Sequence, residues 1–81
     1  MKQQPDIAQT ILNTAQERGT GKSTCPSEIA RMLFPDDWRS HMDQIVREAI
    51  RLHLDAKVLI TQKGKPVDVN KIKGPIRIRI S

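Results

Sequence analysis

The sequence predicts an α+β domain, three helices followed by a C-terminal antiparallel β-hairpin, on three observations. Apolar residues recur at helical spacing in three segments before residue 55. The period then changes to two. Gly or Pro punctuates most of the boundaries between these segments.

The first helix is expected from Asp6 to Arg18. Ile7, Ile11, Leu12 and Ala15 give it one apolar face, Asp6 can cap its start, and Gly19-Thr20-Gly21 ends it. Cys25-Pro26-Ser27-Glu28 opens the second. Pro is favoured at the first helical position, where its missing N–H costs nothing, and Glu28 stands three residues after Cys25 as in a capping box, with Cys in place of Ser or Thr. Ile29, Ala30, Met32 and Leu33 supply its buried side, and Phe34-Pro35 stops it.

Asp36-Asp37 is expected to cap the third and longest helix, which runs to about Leu54. Trp38, Met42, Ile45, Ala49 and Leu52 recur at intervals of four, three, four and three, and Val46 and Ile50 widen the stripe. Beyond Asp55-Ala56, Val58 and Ile60 alternate with Leu59 and Thr61 in a strand. Gln62-Lys63-Gly64-Lys65-Pro66 is turn chemistry. Ile76, Ile78 and Ile80 alternate with Arg77 and Arg79, the pattern of a half-buried antiparallel strand. Residues 67–75 read equally as a short strand or an ordered loop, and Ser23-Thr24 as a short extra strand. Two helices joined by a three-residue turn, then a hairpin with a basic tip, form the winged helix-turn-helix pattern. Residues 1–81 read as one such domain.

Composition narrows function. The chain has 81 residues, and a domain of this size buries only roughly 60% of its unfolded surface, leaving little room for a deep pocket. Phe34 and Trp38 are the two aromatics and Tyr is absent, which argues against a base-stacking single-strand platform and lowers RNA as a target. Cys25 stands alone, so no internal disulfide is expected, as in a reducing compartment. Residues 1–6 show no apolar run behind a basic head, and no stretch nears the length of a membrane span, so a cytoplasmic protein without membrane contact is expected.

The net charge of +5 is unevenly spread. Residues 57–81 hold seven Lys or Arg against one acid, Asp68, whereas residues 1–56 hold seven against eight. That asymmetry suggests an anionic partner at the C-terminal third; Lys and Arg blunting an exposed sheet edge is the plainer alternative.

Cys25-Pro26-Ser27-Glu28-Ile29-Ala30-Arg31, Trp38-Arg39, Val46-Arg47, Thr61 to Asp68 and Gly74-Pro75-Ile76-Arg77 resemble the bacterial family called domain of unknown function 3253. The resemblance covers nearly the whole chain after its first few residues. It implies a winged-helix-like fold and carries no activity. Such sequences usually have Gly between the long helix and the next strand, where this chain has Ala56-Lys57, and often have Pro near Asp43.

In winged-helix DNA binders the second helix of the motif enters the major groove and the wing meets the backbone. The exposed side of the third helix would show Arg39, Ser40, Asp43, Gln44, Arg47 and Arg51; Arg and Gln are the side chains that pair bidentately with guanine and adenine edges. Lys63, Lys65, Lys71 and Lys73 in the wing would neutralise phosphates, with Arg77 and Arg79 joining them if their sheet face is open. Asp36, Asp37, Asp43 and Glu48 dilute the charge of that helix, and its Arg residues also read as ordinary solvated surface.

Trp38 lies on the apolar stripe, so packing is its expected role; exposure beside Arg31 and Arg39 would make it an anchor instead. Glu28, Arg31, Arg39 and Arg47 could form an ion-pair network at the helix junction. His41 and His53 lack ligands at metal spacing, and no cofactor is expected. Gly19-Thr20-Gly21-Lys22-Ser23-Thr24 lacks both the first Gly and the preceding strand of a phosphate loop. No nucleophile–base–acid set assembles, so the sequence predicts a non-enzyme. Double-stranded DNA is the expected partner, bound by a chain that could dimerise. The competing reading is a protein-interaction module that meets an acidic protein through the basic hairpin or the Trp38 surface.

Overall fold

The computed structural model describes residues 6–19, 21–68, 72 and 74–80. Helix α1 spans Ile7–Arg18, α2 Pro26–Leu33 and α3 Met42–Leu54. Strands β1 (Leu59–Gln62), β2 (Lys65–Pro66) and β3 (Arg77–Arg79) follow. They form one antiparallel sheet in the order β2-β1-β3, with Ile60 opposite Ile78 and Thr61 opposite both Arg77 and Pro66. This is the predicted α+β arrangement of three helices and an antiparallel hairpin, consistent with a winged helix-turn-helix. The loop before α2 adds one isolated bridge, Thr24 to Ile78, at the place where a short strand was expected. No strand forms in the described part of 67–75.

Each helix boundary has a local cause. Asp6 Oδ1 accepts the Gln9 N–H at 2.9 Å, and at the other end the Gly19 N–H reaches the carbonyls of Ala15 and Gln16. The expected capping box does not form: Cys25 makes no side-chain cap bond, and the Glu28 carboxylate meets the Thr24 hydroxyl and the Arg18 guanidinium instead. The third helix also starts differently. Trp38–His41 is a turn of 3-10 helix, and Asp37 gives no side-chain cap. Its carboxylate lies 3.2 Å from His41 Nε2, and the Ser40 hydroxyl donates to the Asp37 carbonyl at 2.8 Å. His41 stacks on Phe34 with ring centroids 3.6 Å apart. These contacts hold the first turn tight before the α-helix proper begins.

The C-terminus of α3 is closed by two bonds, Ala56 N–H to His53 O at 3.0 Å and Lys57 N–H to Leu52 O at 2.9 Å. This is the Schellman pattern, which places the residue after the cap in the left-handed region. Ala56 accordingly has φ +62°. The position where the family pattern expects Gly is thus the one where the backbone wants it.

The core joins the helices to the inner sheet face. Ile11, Ile29, Ile45, Ile60 and Ile78 are fully buried, with Ile7, Ala30, Ala49, Leu52, Val58 and Ile76 around them. Leu33, Trp38, Met42, Val46 and Ile50 pack against this core while half-buried. Met32, expected inside, is 55% exposed: eight residues make little more than two turns, and Ile29, Ala30 and Leu33 already fill the face toward the core. None of the described helices is long and apolar enough to cross a membrane.

Candidate nucleic-acid interface

The hairpin between β1 and β2 is as short as hairpins become. Gln62 pairs with Lys65, leaving Lys63 and Gly64 as a two-residue turn with φ +53° and +80°. Positive φ at both central residues defines the type I′ turn, whose twist matches the flanking strands. Gly64 takes that conformation freely; Lys63 takes it because register and Gly64 require it. Lys63 and Lys65 therefore stand exposed on either side of Gly64, and neither has an ion-pair partner among the described residues. Lys71 and Lys73 lie outside the described residues.

On β3 the alternation places Ile78 in the core and Arg77 and Arg79 on the outer sheet face, opposite Thr61 and Leu59. Arg77 is exposed but held: its Nε donates to Ser23 Oγ at 2.9 Å and an Nη to the Ser23 carbonyl at 3.2 Å. Arg79 is half-buried, and its Nε is covered with no hydrogen-bond partner. Gln62, Lys63, Pro75 and Arg77 line an open groove of about 590 Å³ that joins the hairpin tip to β3. The Gln62 amide donates to the Pro75 carbonyl at 3.0 Å across that groove.

The outward side of the third helix carries the expected set, with unequal freedom. Arg39, Ser40, Asp43, Gln44, Arg47 and Arg51 are all exposed. The Ser40 hydroxyl is committed to Asp37. Gln44 Oε1 lies 3.4 Å from His41 Nδ1, which leaves its amide NH₂ group uncommitted there. Arg51 pairs with Glu48 at 3.1 Å. Arg47 has no ion-pair partner among the described residues.

Arg39 turns to Trp38. Its guanidinium carbon lies 4.8 Å from the ring centroid, and that of Arg31 lies 4.5 Å from the same centroid. Trp38 is half-buried, combining contact with the core on one side and two cations over its ring. The ion-pair network expected of Glu28, Arg31, Arg39 and Arg47 does not exist: Glu28 pairs with Arg18, an arginine outside that set. The helix junction is held instead by arginine on tryptophan.

Glu28 has its carboxyl held below the ordinary glutamate range, first by the Thr24 hydroxyl, then by the Arg18 hydrogen bond, with burial opposing and the charges of Arg18 and Arg77 assisting. It remains ionised in the field of Arg77. Cys25 is half-buried, with Sγ 3.2 Å from Ser27 Oγ. Among the described residues no group of three or more His, Cys, Asp or Glu is placed to hold a metal ion.

The fold brings Lys63, Arg77 and Arg79 to the hairpin tip and outer sheet face, whereas Lys65, opposite Gln62, is on the other side of the sheet from Arg77, which is opposite Thr61. It keeps Gln44, Arg47 and Arg51 on a separate surface along α3. The loop at residues 74–76 connects the two regions, since Gly74, Pro75 and Ile76 share a small cleft with Met42 and Val46 of α3 and with Cys25, Pro26 and Ser27. Lys22 and Ser23 were missed as members of the basic face. The signal for them was Thr24: one buried residue before a helix start puts its neighbour Ser23 on the outer side of the same extended segment.

Residues 4–81 match the model of the family described as "Protein of unknown function (DUF3253)". Over 23 residues, 28% of the chain, the sequence is 65% identical to a protein named Replication factor C small subunit from Haloarcula marismortui (strain ATCC 43049 / DSM 3752 / JCM 8966 / VKM B-1809); the matched stretch spans 7% of that protein's length.

Proposed function

From the premise that the chain belongs to the DUF3253 family, whose description assigns no activity, we propose that it is a small DNA-binding domain that does no catalysis. It docks on the phosphates of double-stranded DNA through its hairpin and sheet face and draws any sequence preference from α3. The observation that carries this reading is the pair Lys63 and Lys65. They flank Gly64 at the tip of a two-residue turn, exposed and free of acidic partners among the described residues, and Lys63 shares a groove with Arg77. Exposed cations at a hairpin tip neutralise phosphates and release their counterions. Gln44 and Arg47 are the α3 side chains with groups left to present to base edges. Asp36, Asp37 and Asp43 lie exposed around the start of that helix and oppose close phosphate approach there, so the wing carries most of the affinity.

The test is a titration of isotope-labelled protein with random-sequence duplex DNA at about 50 and 200 mM salt, a range over which phosphate contacts show a steep loss of affinity. The expected result is amide shifts in residues 59–66, 74–79 and α3 that weaken strongly with salt. Absence of shifts at the lower salt overturns the proposal.

One observation favours a second reading, a protein-interaction surface. Met32 at 55% exposure lies on α2, one position beyond Arg31, whose guanidinium covers half-buried Trp38. An exposed apolar side chain on the helix that carries Arg31 suits an acidic, partly apolar peptide. Shifts confined to residues 31–39, produced by an acidic peptide and not by the duplex, would favour it.

A further inference from the structure

On the outer face of the sheet a second concavity, separate from the hairpin groove, measures about 210 Å³ and is lined, among the described residues, by Gly21, Lys22, Ser23, Thr61, Gly64, Arg77 and Arg79. Three chain segments meet there: the loop before α2, the β1–β2 turn and β3. Among the described residues that line it, three are cations and none is an acid. Its volume is several times the roughly 30 Å³ that one water occupies in the liquid, enough for a tetrahedral oxyanion with its remaining hydration.

We propose that this cleft is a built seat for one phosphate group, held by the Arg79 and Arg77 guanidinium groups and the Lys22 ammonium. Two arrangements support it. Arg77 is pre-positioned, because its two hydrogen bonds to Ser23 fix the guanidinium over the sheet and remove the ordering cost that a free arginine bears on binding. Arg79 is the complement. Its guanidinium makes no ion pair among the described residues, and its Nε is covered without an acceptor. Phosphate meets the planar fork of arginine with two parallel bonds.

Glu28 interacts with Arg77, but its carboxylate is already paired with Arg18 and hydrogen-bonded by Thr24. The phosphate can come from the backbone of a duplex or be a free phosphate ion. In the first case the seat rests on the DNA-docking reading and gives it one fixed contact; in the second it stands without it.

Labelled protein titrated with inorganic phosphate at constant ionic strength, chloride being the matched control, reads the seat directly through the Arg79 and Arg77 Nε–H signals and the amides of Gly21, Ser23 and Gly64. Saturable shifts with phosphate and none with chloride are expected. Arg79→Gln should weaken that binding at least tenfold, and Arg79→Lys, which keeps charge and loses the fork, should weaken it by an intermediate factor. A duplex titration on the same resonances separates the sources. Shifts at the cleft with both ligands assign it to backbone phosphate, and shifts with inorganic phosphate alone assign it to the free ion while sinking a duplex contact there. Duplex shifts on Lys63 and α3 with a silent cleft overturn the seat and leave DNA docking intact. No response at the cleft to either ligand overturns it outright. Ser23→Ala is the second variant if Arg79 changes disturb folding: releasing Arg77 should lower phosphate affinity, and unchanged affinity counts against the seat.

Discussion

The backbone of Thr24 exchanges two hydrogen bonds with that of Ile78, N–H to O at 2.8 Å in one direction and 2.7 Å in the other. This pair is where the loop before α2 is stitched to β3, and it sets what surrounds it. Thr24 and Ile78 are fully buried; their neighbours Ser23 and Arg77 meet on the outer face. The Thr24 hydroxyl remains free to donate to Glu28. One bridge thus couples a buried polar contact to the basic surface.

Thr24→Val keeps the bridge and deletes the hydroxyl, the largest cause of the lowered Glu28 pKa. The Glu28 carboxyl should titrate closer to the ordinary glutamate range, measured by carboxyl-carbon NMR, with a stability loss of about 1 kcal/mol for the lost bond. A carboxyl folded with a depressed pKa adds stability that is fully present above its unfolded value, about 4.3, and that is lost as pH falls through the folded value. Acidification below about pH 4.3 should therefore destabilise the wild type more than Glu28→Gln, as read by urea unfolding across pH.

Ala56→Gly should stabilise. Ala56 carries φ +62° inside the Schellman turn, a conformation that costs a residue with a Cβ about 1–2 kcal/mol. Glycine avoids that cost but gives back about 0.4–1 kcal/mol through a more disordered unfolded chain. The net expectation is a gain of about 0.5–1 kcal/mol, seen as a higher urea midpoint with an unchanged slope. A lower midpoint would contradict the geometry of the helix end.

Lys63→Asn separates fold from binding. Asn-Gly is the favoured pair for a type I′ turn, so the variant should be at least as stable as wild type while losing one cation from the hairpin tip. Its affinity for duplex DNA should fall, and the slope of log K against log salt should become shallower by about 0.9, the value for one phosphate contact. An unchanged slope with intact folding would remove Lys63 from the interface.

Trp38→Ala should cost about 2 kcal/mol, below the roughly 3–5 kcal/mol of a fully buried Trp, because the ring is half-exposed beneath two arginines. Trp38 is the chain's one tryptophan, so its fluorescence reports the arrangement cleanly. Arg31→Ala and Arg39→Ala should each shift emission and cost about 0.5–1 kcal/mol. A full-core loss on Trp38→Ala with no emission change in the arginine variants would return Trp38 to simple packing.

The sequence by itself determined the elements whose causes are local. The span of α1, the stop of α2 at Phe34-Pro35, the stripe of α3 and the alternation through Ile76, Ile78 and Ile80 all follow from period and punctuation. So do the exposure of Lys63 and Lys65 on a turn and the placing of Arg77 on an outer face. The tertiary structure decided everything that depends on which side chain reaches a partner first. Glu28 could cap its own helix, yet Arg18 of α1 and Thr24, held in the segment before α2 by its bridge to Ile78, claim it. Asp37 could cap α3, yet His41, stacked on Phe34, takes its carboxylate. Trp38 reads as either packing or anchor from its spacing; the structure packs it half-buried against the core with Arg31, from the neighbouring helix, over its ring. The basic cleft is the plainest case, since Lys22, Ser23, Arg77 and Arg79 become neighbours only when β3 pairs with Thr24. Periodicity encodes which face of an element is apolar; it does not encode which two polar groups, remote in sequence, will meet once those faces are buried.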